Sequence, residues 1–175
     1  MEQRINFYKA SPDTMKALGV FGAALDKRGL DANLVNLVKL RASQINGCAY
    51  CVDLHARDLR KDGNDEHRLY TTAVWRETPF FSARERAALA WTESLTQLSD
   101  THAPDADYQG LREHFTDSEI VDLTMVIGVI NIWNRFVVGF RVSPTNKGEK
   151  HECQTSFLAG DDACHNAASV PDIRA

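Results

Sequence analysis

The sequence predicts an all-α protein, a compact bundle of about six to seven helices. Apolar residues recur every three or four positions through most of residues 11–140, which is the spacing of one face of a helix. Capping signals precede several of these segments, as in Ser82 followed by Glu85 and Thr116 followed by Glu119. No run of alternating apolar and polar residues indicates a strand.

Start and stop signals divide the chain into successive helices. Residues 5–10 are expected to be extended or irregular, and Ser11-Pro12 begins the first helix because serine caps helices and proline suits the first position. Asn46-Gly47 is a turn signal between the second and third helices, and Gly63 follows the third. The predicted helices span approximately residues 11–25, 32–46, 49–60, 65–75, 82–98, 105–115 and 116–140.

The last predicted helix is apolar almost all round, which is typical of a helix buried in a core or between subunits. Polar residues interrupt it and argue against a membrane span: Asp122, Asn131, Asn134 and Arg135. Hydrogen bonding in the core or at an interface is the favoured interpretation of Asn131, Asn134 and Arg135. The alternative is that they line a pocket together with Trp133.

Composition bounds the class of protein and its partners. With 175 residues, 43% apolar and 25% charged, the chain can form one soluble domain with its own core. A net charge of −4 argues against a nucleic-acid partner. The charged N-terminus shows no secretory signal, and four cysteines then indicate a reducing compartment, so we expect a cytoplasmic protein. Residues 1–142 form the predicted domain, and residues 143–175 are a polar tail predicted to be disordered.

The chemistry is concentrated in a short motif. Cys48 and Cys51 are three residues apart, and His55 follows four residues later, so all three lie on one face of the predicted third helix. The start of a helix favours a negative charge and therefore a thiolate, which would make Cys48 the more easily ionised thiol. Two thiols and an imidazole suit a redox dithiol with a proton-transferring group.

A Cys-x-x-Cys pair has two other interpretations. It can be buried and inert, or it can be half of a zinc site. Zinc held by Cys48, Cys51 and His55 could be completed from the tail, which contains His151, Cys153, Cys164 and His165. The histidine at the fourth position and the lack of a second Cys-x-x-Cys favour the redox interpretation.

Several segments together resemble one family. Residues 43–55, with the sequence Ser-Gln-Ile-Asn-Gly-Cys-Ala-Tyr-Cys-Val-Asp-Leu-His, resemble the signature of the alkylhydroperoxidase D-like branch of the carboxymuconolactone decarboxylase superfamily. Residues 75–81, 84–93 and 130–135 also resemble this family, and the similarity extends from about residue 4 to residue 142.

The resemblance implies a small all-helical subunit in a homo-oligomer, a trimer or hexamer, without metal or haem. It implies a thiol peroxidase that reduces organic hydroperoxides or hydrogen peroxide, with Cys51 as the peroxidatic and Cys48 as the resolving cysteine. A dithiol donor, such as a lipoylated or thioredoxin-like protein, would reduce the Cys48–Cys51 disulfide. Because His55 lies one turn from Cys51, we favour this assignment of the two cysteines over the one suggested by the helix start. An oxidoreductase acting on a protein partner is the alternative function.

Three further residues are expected to support the site. Tyr50 occupies a position where some family members have histidine; it either joins a proton relay or packs its ring. Asn36 stands twelve residues before Cys48, where the family usually has glutamate, and an amide is no general base. This replacement predicts weakened activity unless another carboxylate substitutes. Glu93 is the candidate, although a structural salt bridge is its more probable role.

Overall fold

The computed structural model describes residues 2–26 and 28–144, and these ranges are helical without a strand. The all-α prediction is therefore confirmed. Nine α-helices and one 3₁₀ helix follow one another in the described ranges: α1 Phe7–Ala10, α2 Pro12–Asp26, α3 Ala32–Ile45, α4 Ala49–Lys61, α5 Glu66–Thr71, the 3₁₀ helix Thr72–Glu77, α6 Ala83–Thr96, α7 Leu98–Thr101, α8 Asp105–Arg112 and α9 Asp117–Gly139. The predicted tail lies, from residue 145 onward, outside the described residues.

The capping signals mark real helix starts. At α6, Ser82 Oγ accepts a hydrogen bond from the Glu85 amide at 3.3 Å, and the Glu85 carboxylate accepts one from the Ser82 amide at 2.7 Å. At α9, Thr116 and Glu119 make the same reciprocal pair, at 3.3 and 2.8 Å. Each box satisfies backbone donors that the first turn of a helix otherwise leaves unpaired.

The count of six to seven helices was too low because the additional helices are short. Residues 7–10, predicted to be irregular, form α1, whose first turn is capped by the Asn6 side chain accepting from the Lys9 amide at 3.1 Å. The predicted helix 65–75 divides into α5 and the 3₁₀ helix, and α7 extends into residues 100–105, which were expected to be a loop. Elements of four to six residues contain fewer than two turns, so they leave no periodic pattern to detect.

Helix α3 is the central element, and it packs against α4, α6 and α9. One side of α3 joins α6, α8 and α9 in a core that includes Val38, Ala88, Leu111, Leu123 and Ile127. The other side joins α4 and the 3₁₀ helix around Leu37, Leu40, Leu59, Trp75 and Leu89. Because α4 carries the cysteine motif, this packing holds the motif between α3 and α9.

Helix α9 is the only helix of the described residues that is long and apolar enough to cross a bilayer. Half of its most apolar window is nevertheless buried against other helices, as in the core helix of a soluble protein. The molecule therefore looks like a soluble helical domain. Some large apolar side chains of α9 remain exposed: Val121, Met125, Ile132 and Val138.

Candidate active site

A two-residue turn between α3 and α4 presents the cysteines. Gly47 has a φ of +66°, the left-handed conformation that glycine adopts most readily after a helix. The next residue, Cys48, is the N-cap of α4, and its Sγ accepts a hydrogen bond from the Cys51 amide at 3.3 Å. The local sequence thus places both sulfur atoms at the N-terminus of α4.

Two side-chain amides of α9 hold this turn in place. Asn46 Nδ2 donates to Asn131 Oδ1 at 3.0 Å and to Asn134 Oδ1 at 2.8 Å. Asn134 Nδ2 in turn donates to Ser43 Oγ at 3.1 Å, and Asn134 is buried. The contacts of the two asparagines therefore agree with the core hydrogen bonding predicted for them. Arg135 is exposed and donates to the Asn131 carbonyl at 2.8 Å.

The two cysteines form a disulfide and lie almost completely inside the fold. Their Cα atoms are 5.4 Å apart, and their exposed fractions are 0% for Cys48 and 3% for Cys51. They pack with Tyr50, Val137 and Leu54 in a small apolar cluster. The predicted proximity of the two thiols is thus present, and solvent has almost no direct access to either sulfur.

A cavity reaches Cys51 but not Cys48. Its volume is about 60 Å³, enough for several water molecules or a small organic group. Apolar residues of α1, α2, α4 and α9 form most of its wall. The other lining residues are Tyr8, Lys39, Tyr50, Cys51, His55 and Trp133.

His55 lies in the wall of this cavity and is buried. Burial, and to a smaller extent the positive charge of Lys39, lower the pKa of His55 from 6.5 to about 3, so the imidazole is neutral near pH 7. Two buried nitrogen atoms of the lining, His55 Nδ1 and Trp133 Nε1, have no hydrogen-bond partner in the described part of the chain. Unpaired buried polar atoms are uncommon, and they mark a place where a polar ligand gains hydrogen bonds.

Both tyrosines of the cavity stay protonated at neutral pH. Burial and the nearby Asp53 carboxylate raise the pKa of Tyr50 to about 12, with Arg57 opposing them. Burial also raises the pKa of Tyr8, and its ring lies 6.4 Å from the ring of Trp133, centroid to centroid. Tyr50 therefore contributes a neutral hydroxyl and a packed ring to the site.

The two other predicted supporting residues lie away from the cavity lining. Asn36 is half-buried on α3, one turn before Lys39. The Glu93 carboxylate pairs with Arg41 at 2.7 Å and with Arg76, and it accepts a hydrogen bond from Trp75 Nε1 at 2.8 Å. Although burial opposes them, these hydrogen bonds lower the pKa of the Glu93 carboxyl. This geometry favours the structural role for Glu93.

Sequence reasoning did not identify the residues that enclose the cavity from elsewhere in the fold. In the sequence Lys39 is only a cation within the predicted helix 32–46, and no local pattern indicates the cavity that it lines. Tyr8 belongs to α1, which gave no periodic signal; α1 is held to α9 by ring packing of Phe7 against Phe136, at 5.4 Å between centroids. The Arg4 amide also donates to the Phe140 carbonyl at 3.0 Å, which fixes the segment before α1.

Within the described ranges, no three histidine, cysteine or acidic residues come together as a metal site. The tail residues invoked for a zinc site, which include Cys153 and His165, lie outside those ranges. The site combines a Cys48–Cys51 disulfide with a small cavity that is lined by Cys51, the neutral imidazole of His55 and Lys39.

This chain is similar in sequence to known proteins. The model of the carboxymuconolactone decarboxylase family matches residues 12–94. The uncharacterized protein YdfG of Bacillus subtilis is 37% identical over 138 residues, which cover 79% of this chain and 94% of that protein.

Solved structures agree with the sequence matches. A protein of unknown function from Agrobacterium tumefaciens, described as an antioxidant defence protein AhpD, superposes with a TM-score of 0.81 at 44% identity, over 83% of this chain and all of that one. An uncharacterized peroxidase-related protein from Ralstonia eutropha, with an alkylhydroperoxidase AhpD core, superposes with a TM-score of 0.68 at 24% identity. That alignment covers 88% of this chain and 78% of the other, and it supports the fold alone.

Proposed function

This chain belongs to the carboxymuconolactone decarboxylase superfamily, in its alkylhydroperoxidase D-like branch, and on that premise we propose that it is a thiol peroxidase. Its substrates are organic hydroperoxides or hydrogen peroxide. The observation that carries the proposal is the cavity that opens onto Cys51. His55 lies in the wall of this cavity, and the Cys51 sulfur is bonded to Cys48. Such a cavity admits a small substrate to a redox-active sulfur.

The proposed reaction proceeds in three steps. The Cys51 thiolate attacks the terminal oxygen of R–O–O–H, so that an S–O bond forms, the O–O bond breaks and the alkoxide leaves with the electron pair. The alkoxide is protonated to the alcohol, and Cys51 becomes a sulfenic acid. The Cys48 thiol then displaces water from that sulfenic acid to form the disulfide, and an external dithiol reduces it by exchange.

Access to the cavity supports the assignment of Cys51 as the peroxidatic cysteine. Cys51 lines the cavity, whereas Cys48 is fully buried and is not part of the cavity lining. The start of α4 still favours ionisation of Cys48, but a substrate in the cavity meets Cys51 first. Cys48, bonded to Cys51 and inaccessible to the peroxide, suits the resolving role.

His55 is the proposed proton-transferring group. It lies one turn after Cys51 on α4 and in the same cavity wall, and its unpaired Nδ1 can exchange a hydrogen bond with a peroxide or alcohol oxygen. Because its pKa is low, His55 is a neutral imidazole at neutral pH. It relays a proton to the leaving oxygen by donating from one ring nitrogen while the other ring nitrogen accepts a proton. Tyr50, protonated and beside the sulfurs, supplies packing and a hydroxyl.

Asn36 leaves the proposed enzyme without the carboxylate that the family usually has on this helix, so we propose a weaker activity than in relatives that have it. Glu93 is a poor replacement, because its carboxylate is already engaged by two arginines and a tryptophan. The proton is therefore exchanged through His55 and water.

We expect Glu93→Gln to lower stability and spare activity. Losing the charge leaves Arg41 in a largely buried position without its ion pair, which should lower the free energy of unfolding by about 2 kcal/mol. Urea denaturation and peroxide kinetics measured on the same preparation test this, with Asn36→Ala as a companion variant that removes the amide. A stable Glu93→Gln protein that has lost its turnover would instead make Glu93 the base.

Partners follow from the same proposal. The electron donor is a dithiol, lipoylated or thioredoxin-like, and a slender dithiol suits sulfurs that solvent hardly reaches. The chain is proposed to be a cytoplasmic homo-oligomer, a trimer or hexamer. Exposed apolar residues of α9 at positions 121, 125 and 132 repeat with the four- and seven-residue spacing by which one helix packs on another, which supports self-association. Sedimentation equilibrium measures the number of subunits.

The decisive experiment is peroxide turnover by the reduced protein with a panel of reductants: dithiothreitol, dihydrolipoamide and a thioredoxin system. We expect consumption of tert-butyl hydroperoxide with at least one dithiol. Mass spectrometry of the alkylated protein should show Cys48 and Cys51 joined after peroxide treatment and free after reduction. If both cysteines are recovered as free thiols in the presence of excess peroxide, the peroxidase proposal is wrong. Exchange with a protein disulfide without any peroxide turnover would favour the alternative oxidoreductase.

A further inference from the structure

One lysine shares the cavity with Cys51. Lys39 comes from α3, and its charge reaches His55, whose pKa it helps to lower. Polar groups face the cavity from the other helices as well: Tyr8 from α1, Tyr50 and His55 from α4, and Trp133 from α9. Both tyrosines remain protonated and His55 remains neutral near pH 7. Among the described lining residues, Lys39 is the one lysine or arginine.

The reduced form of the site needs a positive charge. Burial disfavours the ionised form of a thiol, and Cys51 is buried. Many reactive cysteines overcome this cost by pairing with a protonated histidine. That partner is disfavoured here, because the same burial and the lysine charge keep His55 neutral. In the described part of the chain, the groups that remain to stabilise the thiolate are the α4 N-terminus and Lys39.

We propose that Lys39 stabilises the Cys51 thiolate across the cavity that both residues line. The proposal deepens the function proposed above, since it names the cation on which the attacking sulfur depends. On ionisation the S–H bond breaks, the electron pair stays on sulfur, and the proton is passed on through His55 and water. Lys39 takes no part in that proton transfer and acts as a positioning charge.

The test is the ionisation of Cys51, measured without any peroxide. In a reduced Cys48→Ser background, the rate of iodoacetamide alkylation is followed across pH, and mass spectrometry quantifies the peptide that contains Cys51. We expect Lys39→Met to raise the midpoint of the profile by about one pH unit, which slows alkylation at pH 7 roughly tenfold. Lys39→Arg, which restores the charge, should return the midpoint close to that of the parent.

Lys61→Met is the matched control. Lys61 lies at the far end of α4, where its side chain is exposed, and the change removes the same unit of charge from the protein. Its midpoint should equal that of the parent. Lys39→Gln gives a second neutral variant with a polar side chain, should Lys39→Met fail to give the helical circular dichroism of the parent. A midpoint in a folded Lys39 variant that equals the Lys61→Met value would overturn the proposal and assign thiolate stabilisation to the α4 N-terminus.

The alkylation result and the peroxidase result are independent. A shifted midpoint in a protein that consumes no peroxide would support the role of Lys39 and contradict the proposed function. Peroxide turnover that depends on Cys51, together with an unshifted midpoint, would support the function and contradict the role of Lys39.

Discussion

Cys51→Ser is expected to abolish peroxide consumption, because the only sulfur that lines the cavity within the described residues is lost. Cys48→Ser should consume one equivalent of peroxide and then stop, since Cys51 can still attack but no thiol resolves its sulfenic acid. Stopped-flow measurement of peroxide loss gives both stoichiometries, and a sulfenic-acid trap followed by mass spectrometry locates the oxidised residue.

The two variants are matched, because each replaces one buried sulfur by one oxygen at the N-terminus of α4. Retention of helical circular dichroism in both would show that any difference is chemical. If Cys51→Ser gave the single turnover and Cys48→Ser gave none, the roles would be reversed, and the electrostatics of the helix start would outweigh access through the cavity.

His55→Phe is expected to protect the protein against acid. The folded-state pKa of His55 is about 3, against 6.5 for an ordinary histidine, so between these values the unfolded chain binds a proton that the folded chain does not. Well above pH 6.5 His55 is neutral in both states, so its protonation does not change the free energy of unfolding. That free energy falls as the pH drops from 6.5 toward 3. At pH 5 that loss amounts to about 2 kcal/mol.

The measurement compares urea denaturation at pH 7 and pH 5, at one fixed protein concentration. The wild-type protein should lose about 2 kcal/mol more than His55→Phe over this interval. His67→Gln serves as the control, since it removes an exposed histidine of α5 and should follow the wild type. Parallel losses in all three proteins would show that His55 becomes protonated in the fold, for example through water entering the cavity.

Local chemistry explains which parts of the fold could be predicted from sequence. The reciprocal caps at Ser82 and Thr116, and the turn at Asn46-Gly47, depend on residues a few positions apart, so their patterns are readable directly. The convergence of Cys48, Cys51 and His55 follows from helical spacing in the same way. The roles of these three side chains in a reaction stay predictions.

The remainder depends on contacts between distant parts of the chain. Asn46 meets Asn134, 88 residues away, and no local pattern joins them. Lys39 of α3 lines a cavity only because α1, α2 and α9 pack beside it. Helix α1 is too short to be stable alone. Its packing against Phe136 holds it in place as part of the cavity wall.

Burial of Cys48 behind Cys51 has a consequence for the order of events in the proposed cycle. Both half-reactions must use the same entrance, since the peroxide and the donor dithiol can each reach only the Cys51 sulfur. The alcohol must therefore leave before the donor enters, which is a ping-pong sequence with no ternary complex. Double-reciprocal plots at several donor concentrations would then be parallel lines. An excess of either substrate would inhibit, because it would bind the form of the enzyme with which the other substrate reacts.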